Sequence, residues 1–92
     1  MTGKRLAAIV PSLRVDVLGA RAFKVSRAYF AKGVSAGRVS VDGAAAGKAT
    51  SVEPGQRVVA DGLGSFTLLS LDGETRRENL KVTLEVERED GR

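Results

Sequence analysis

The sequence predicts an α+β domain, with two short helices packed on one side of a small, mainly antiparallel β-sheet of about four to five strands. Three observations predict it. Apolar residues recur at helical spacing in two stretches before Gly37. After Gly37 the period shortens to two residues. The turn dipeptides Asp42-Gly43, Pro54-Gly55 and Asp72-Gly73 then punctuate the second half.

The elements follow in order. RLAAIV at 5–10 is a short strand ended by Pro11, which has no N–H to give a ladder. LRVDVLGARA at 13–22 spaces Leu13, Val17 and Leu18 for a helix, although Gly19 and the β-branched valines weaken it. Ser26 is a suitable N-cap for a second helix over 27–36, and Gly37 supplies its stop. RVSVD at 38–42 alternates into the Asp42-Gly43 turn, and Pro54-Gly55 leads into QRVVAD. SFTLLSL at 65–71 runs into Asp72-Gly73, a hairpin signal. In NLKVTLEVE at 79–87, Leu80, Val82, Leu84 and Val86 share one face, and Lys81, Thr83, Glu85 and Glu87 share the other. That is the pattern of a half-buried strand. The tail at 89–92 is expected to fray.

Composition narrows the chemistry. The 92 residues suffice for one domain. Cysteine and histidine are both absent. Disulfides, thiolate metal sites, cysteine nucleophiles and the usual general base near neutral pH go with them. Apolar runs such as LAAIV are too short to span a membrane or to form a signal segment. The expected setting is cytoplasmic. Net charge is +4, but its distribution is uneven. Residues 1–50 carry nine Lys/Arg against Asp16 and Asp42, a balance of +7, while residues 51–92 carry six against nine acids, a balance of −3. A half so basic suggests a surface for a polyanion, most commonly nucleic acid.

Two motifs fail on inspection. GAAAGKAT at 43–50 approaches a phosphate-binding loop but is one residue short between its glycines. Ala49 stands where a Mg²⁺-binding hydroxyl is required, and no helix is expected to follow. DGLGSF at 61–66 lacks the third glycine of a dinucleotide fingerprint. Ser12, Ser26 and Ser35 have no histidine to activate them, so no enzyme is expected. No cofactor or metal is implied either.

One pattern is specific. LRVDVL at 13–18, Ser26-Arg27, Gly37 and RVSVDG at 38–43 stand in an order and spacing that resembles the S-four RNA-binding domain, named for the fourth protein of the ribosomal small subunit. Arg14 and Asp16 match its opening, Ser26 and Arg27 its Ser-Arg pair, and Gly37, Val39, Val41 and Gly43 its exit into a strand. Asp42 stands where the family has Asn. The flanking segments look like the C-terminal module of a bacterial family of ribosome-associated quality-control and photosystem-II-type S-four proteins. The resemblance implies an RNA-binding core over 13–60, an N-terminal strand and extension over 1–12, and a hairpin over 61–88 completing the sheet. It also implies binding of rRNA or tRNA on the ribosome by a monomer, without membrane or small-molecule partners. The RNA-binding residues it implies are Arg14, Lys24, Ser26, Arg27, Lys32, Arg38 and, peripherally, Lys48. An accessory domain of an RNA-modifying enzyme or a tRNA synthetase is the alternative. A protein-interaction module using the acidic strand face of 78–90 is a third.

The second helix departs from its relatives. Phe30 stands where the family has a small residue, and Gly33 where it has leucine. The two lie on one helical face, so their volumes are expected to compensate. Gly33 should cost ~1 kcal/mol of helix stability and weaken the helix beyond it. Tyr29, at a slot usually polar in the family, is expected to be partly buried rather than to stack on a base.

Overall fold

The computed structural model describes residues 4–47, 49–74 and 79–88. Its elements are β1 (Lys4–Val10), α1 (Val15–Phe23), α2 (Arg27–Ser35), β2 (Val39–Val41), β3 (Ala44–Ala45), β4 (Arg57–Ala60), β5 (Gly64–Glu74) and β6 (Leu80–Arg88). The fold is α+β. Among the described residues six strands form one antiparallel sheet in the order β1-β6-β5-β4-β2-β3. No helix among these residues is long and apolar enough to cross a membrane.

The strand count corrects the expected four to five. Asp42 and Gly43 both take positive φ, 50° and 87°. Such a pair makes a two-residue hairpin whose twist suits the strands it joins. The chain therefore folds straight back, setting Ala44 opposite Val41 and Ala45 opposite Ser40. Alanine has little strand preference, so this short return looks like loop in the sequence. A second correction concerns Asp72-Gly73. These residues are not a turn: β5 runs through them to Glu74, opposite Leu80. The register slips between Leu68 and Ser70 and again between Leu71 and Gly73, each slip marking an extra residue in β5.

Strand register decides what is buried. Val82, Leu84 and Val86 lie across from Ala8, Leu6 and Lys4 of β1, and from Leu71, Leu68 and Phe66 of β5. Val58 continues the row to Val41. The alternate positions Arg5, Glu85, Thr67 and Arg57 form a polar row on the opposite face. Both helices contribute to the core on the apolar face, and that core includes Leu18, Phe23, Phe30 and Val34.

The helices are seated by aromatic contacts. Phe23 of α1 meets Phe66 of β5 edge-on at 5.9 Å and stacks with Phe30 of α2 at 6.1 Å. A Cβ on Gly19 would fall 2.3–2.5 Å from the Phe30 ring. Glycine at that position lets α2 approach α1. The expected compensation between Phe30 and Gly33 is therefore corrected: the space for Phe30 comes from Gly19, one helix away. Gly33 does not shorten α2, which continues to Ser35 and stops where Gly37 takes φ 80°.

α1 begins later than the expected 13. Leu13 and Arg14 are extended because Val52 N–H donates to the Leu13 carbonyl and Val15 N–H donates to the Thr50 carbonyl. Its end is marked by Lys24, whose φ of 58° is a left-handed cap that its N–H closes onto the Ala20 carbonyl.

Candidate nucleic-acid interface

Asp16 organises the basic side of the helix pair. It lies in the first turn of α1, 7 % exposed, and its Oδ1 accepts from the Val17 N–H. Arg27 donates from Nε to Oδ2 at 3.2 Å, while Arg14 Nε stands 3.6 Å from Oδ1 as an ion pair. A buried acid thus fixes one arginine from each side of the helix junction. The side chain of Arg27 remains 53 % exposed and binds Asp16 through Nε, which leaves its outer guanidinium edge for a second anion. Asp16 belongs to the sequence pattern but not to the expected site residues. Its signal in the sequence is its isolation, as one of two acids among fifty residues rich in cations.

Ser26 performs the capping expected of it. Its Oγ accepts from the Tyr29 N–H at 3.0 Å. The amides of Arg27 and Ala28 precede that bond at the start of α2, where no carbonyl exists within the helix to receive them. Ser26 therefore serves first as a cap, and its hydroxyl proton is what it has to offer an anion.

The remaining expected residues divide between two places. Lys32 and Arg38 meet at a cleft of about 200 Å³ between α2 and the turn from β4 to β5, lined also by Tyr29, Gly33, Val39, Asp61 and Leu63. Tyr29, Lys32 and Gly33 share one stripe of α2, which with its C-cap Ala36 presents them to this cleft together. Tyr29 is 57 % exposed and so only partly covered: Phe30 takes the core, and the next face of the helix looks outward. Lys24 instead joins Arg21 and Lys81 in a groove between β1 and α1. Among the described residues no carboxylate pairs with Lys24, Lys32 or Arg38.

Two cations from the acidic half also arrive here. Arg88 donates to the Phe23 carbonyl at 3.5 Å, beside the end of α1, and Lys81, whose strand position is on the open face, lines the edge of the β1–α1 groove with Ala7 and Ile9. Only strand pairing between distant parts of the chain brings them in, and the sequence carries no local signal of it. Lys48 lies outside the described residues. Around it, Gly47 N–H donates to Thr50 Oγ1, and Ser51 bridges to Arg14 in an extended pairing. No helix begins there among the described residues, so the segment lacks the amide array of a phosphate loop.

The face of the sheet away from the helices carries paired charges beside the exposed apolar side chains of Ile9 and Val59. Arg57 donates to Ser65 Oγ at 3.1 Å and pairs with Glu87 at 3.5 Å, and Arg5 lies directly across from Glu85. Among the described residues no group of three or more His, Cys, Asp or Glu stands together to hold a metal ion. In comparisons with protein-family models and with curated proteins, no match to the chain was found.

Proposed function

We propose that this chain binds structured RNA without catalysing a reaction on it, and that the RNA is ribosomal or transfer RNA on the ribosome, in the handling of stalled large subunits. The observation that carries this reading is the separation of charge by layer. Exposed cations gather around the two helices, while Arg5 and Arg57 on the open sheet face are matched by acids of β6. Structured RNA is recognised mostly by shape, phosphates and 2′-hydroxyls, so a rigid helix pair with fixed cations is a suitable surface. Arginine held at one nitrogen by a buried carboxylate keeps a defined direction and loses less freedom when a phosphate arrives.

Two double variants with the same net charge test it. Arg27→Ala with Arg38→Ala should weaken binding to isolated ribosomal subunits or to free tRNA. It should also reduce the slope of log K against log salt by about 0.7–0.9 for each phosphate that is no longer neutralised. Arg5→Ala with Arg57→Ala should leave both affinity and slope close to wild type. Equal losses from the two pairs would mean that bulk charge, and not the helix layer, drives binding. The two kinds of target then show which RNA is preferred.

A further inference from the structure

We infer that the cleft between α2 and the β4–β5 turn receives one unpaired nucleotide of the bound RNA, with its base stacked on Tyr29 and its phosphate between Lys32 and Arg38. The inference rests on the RNA-binding reading and adds a base-contacting site to it. Its first ground is Tyr29 itself, a large aromatic residue left 57 % exposed at the rim of the cleft. Tyrosine usually buries its ring and wets only its hydroxyl. A ring presented to solvent beside two cations that no carboxylate pairs with among the described residues has the elements of a single-strand site: an aromatic platform for a base and positive charge for its backbone.

The size and lining of the cleft choose the occupant. At about 200 Å³ it is smaller than the roughly 300–1,000 Å³ of sites that enclose a whole small-molecule ligand, and it suits a single planar ring. Val39 and Leu63 give it an apolar floor against which a base can lie. Lys32 and Arg38 favour an anion and disfavour a basic peptide. Asp61 is the acid among the lining residues, and a carboxylate at the rim accepts from the Watson–Crick edge of a base. Guanine offers adjacent imino and amino donors there, which makes guanosine the natural probe. Such a base must be unpaired, because a paired one hides that edge and both of its faces in the stack. The occupant is accordingly a loop, bulge or end nucleotide of an otherwise structured RNA.

The chain has one tyrosine and no tryptophan, so tyrosine emission reports Tyr29 alone. The probe is an RNA hairpin with a single unpaired guanosine in its stem, set beside the same hairpin without it. The bulged hairpin should bind wild type more tightly by roughly 5- to 100-fold, the scale of a base stacked on an aromatic side chain. It should quench the tyrosine emission at saturation, and the paired hairpin should not. Tyr29→Leu should erase the preference and Tyr29→Phe should keep it, while both variants bind the paired hairpin as wild type does. A preference that survives Tyr29→Leu would overturn the inference. So would emission that is unchanged when the bulged hairpin is bound, an outcome that would hand the exposed ring to a protein partner instead. Binding of the paired hairpin alone would leave the RNA-binding reading standing without this site. Failure to bind either hairpin would remove both.

Discussion

On the helix side of the sheet, Arg14 and Arg27 share a single buried acid, and Lys24, Lys32 and Arg38 have no carboxylate paired with them among the described residues. On the open side, Arg5 faces Glu85 across the strands and Arg57 is tied to Glu87. The difference follows from how each layer is built. In an antiparallel sheet, side chains on one face stand about 5 Å apart, and opposite charges across strands are favoured while like charges repel. Helix surfaces impose no such partner, so cations accumulate there where something else requires them. A net charge of +4 conceals this segregation. A charge count becomes a statement about partners only after the fold has sorted the charges by layer.

The two layers also differ in how they are fixed, and the largest prediction attacks that point. The sheet is held by a ladder along its whole length, whereas α2 is seated through Phe30 over Gly19 and against Phe23. Phe30→Ala should cost about 3–5 kcal/mol, a large share of what a domain of this size has. Gly19→Ala should cost about 1–3 kcal/mol by forcing a methyl group into the ring. In the Phe30→Ala background the same change should reverse sign and stabilise by up to ~1 kcal/mol, because alanine is the better helix residue once the ring is gone. Urea unfolding of wild type, the two single variants and the double variant measures this, with Phe30→Leu replacing Phe30→Ala if the latter does not fold. Additive costs would show that the ring over Gly19 does not seat the helix.

A smaller effect distinguishes geometry from field. Asp16→Asn raises the net charge by one in the middle of the basic layer. If attraction by bulk charge governs RNA binding, affinity should rise. If Asp16 acts by holding Arg27 in place, affinity should fall by roughly fivefold, the scale of one charge-assisted hydrogen bond weakened. The expected sign is a fall, accompanied by an unchanged or steeper salt slope, measured on the same ribosomal or transfer RNA. A rise in affinity would reduce Asp16 to a fold-stabilising acid.

Much of the fold is legible in the sequence because local chemistry dictates it. Ser26 caps α2, Gly37 stops it and Pro54-Gly55 turns the chain, with Gly55 at φ 96° and Gln56 N–H donating to the Glu53 carbonyl. Leu80, Val82, Leu84 and Val86 face the core as their alternation requires. What stays hidden shares a cause in long-range geometry. Asp72-Gly73 has the composition of a turn, but pairing with β6 draws it into a bulged strand. Gly19 reads locally as a weakness of α1, and only the Phe30 ring against it gives it a purpose. For the interface, residue types are legible and their grouping is not. Arg14 joins Arg27 through Asp16, Lys32 joins Arg38 across the cleft, and Lys24 sits apart with Arg21 and Lys81. The last of these partners comes from a strand that the sequence places far away.

The smallest prediction concerns the acid of the open side that corresponds to Asp16. Asp72 accepts from Ser70 Oγ and from Thr83 Oγ1, each at 2.7 Å. These hydroxyls, Ser70 first and then Thr83, hold its carboxyl below the ordinary aspartate value, with loss of water opposing them and Lys81 adding a little. A depressed carboxyl binds its proton more weakly in the folded chain than in the unfolded one. Its contribution to stability is therefore complete above the ordinary value and is lost as pH falls through the folded one. The window opens near pH ~4 and extends downward. Urea midpoints of wild type and Asp72→Asn should differ by a small constant amount between neutral pH and about pH 5, and should converge below about pH 4. A difference that stays constant to the lowest pH would mean that the clasp does not depend on the charge of Asp72. Convergence would mean that the second bulge of β5 is held by an ionised side chain at the surface, weakly and reversibly. On the helix side the corresponding acid is shut away beside two arginines, and that contrast is what makes one carboxylate a local clasp and the other an anchor for two exposed cations.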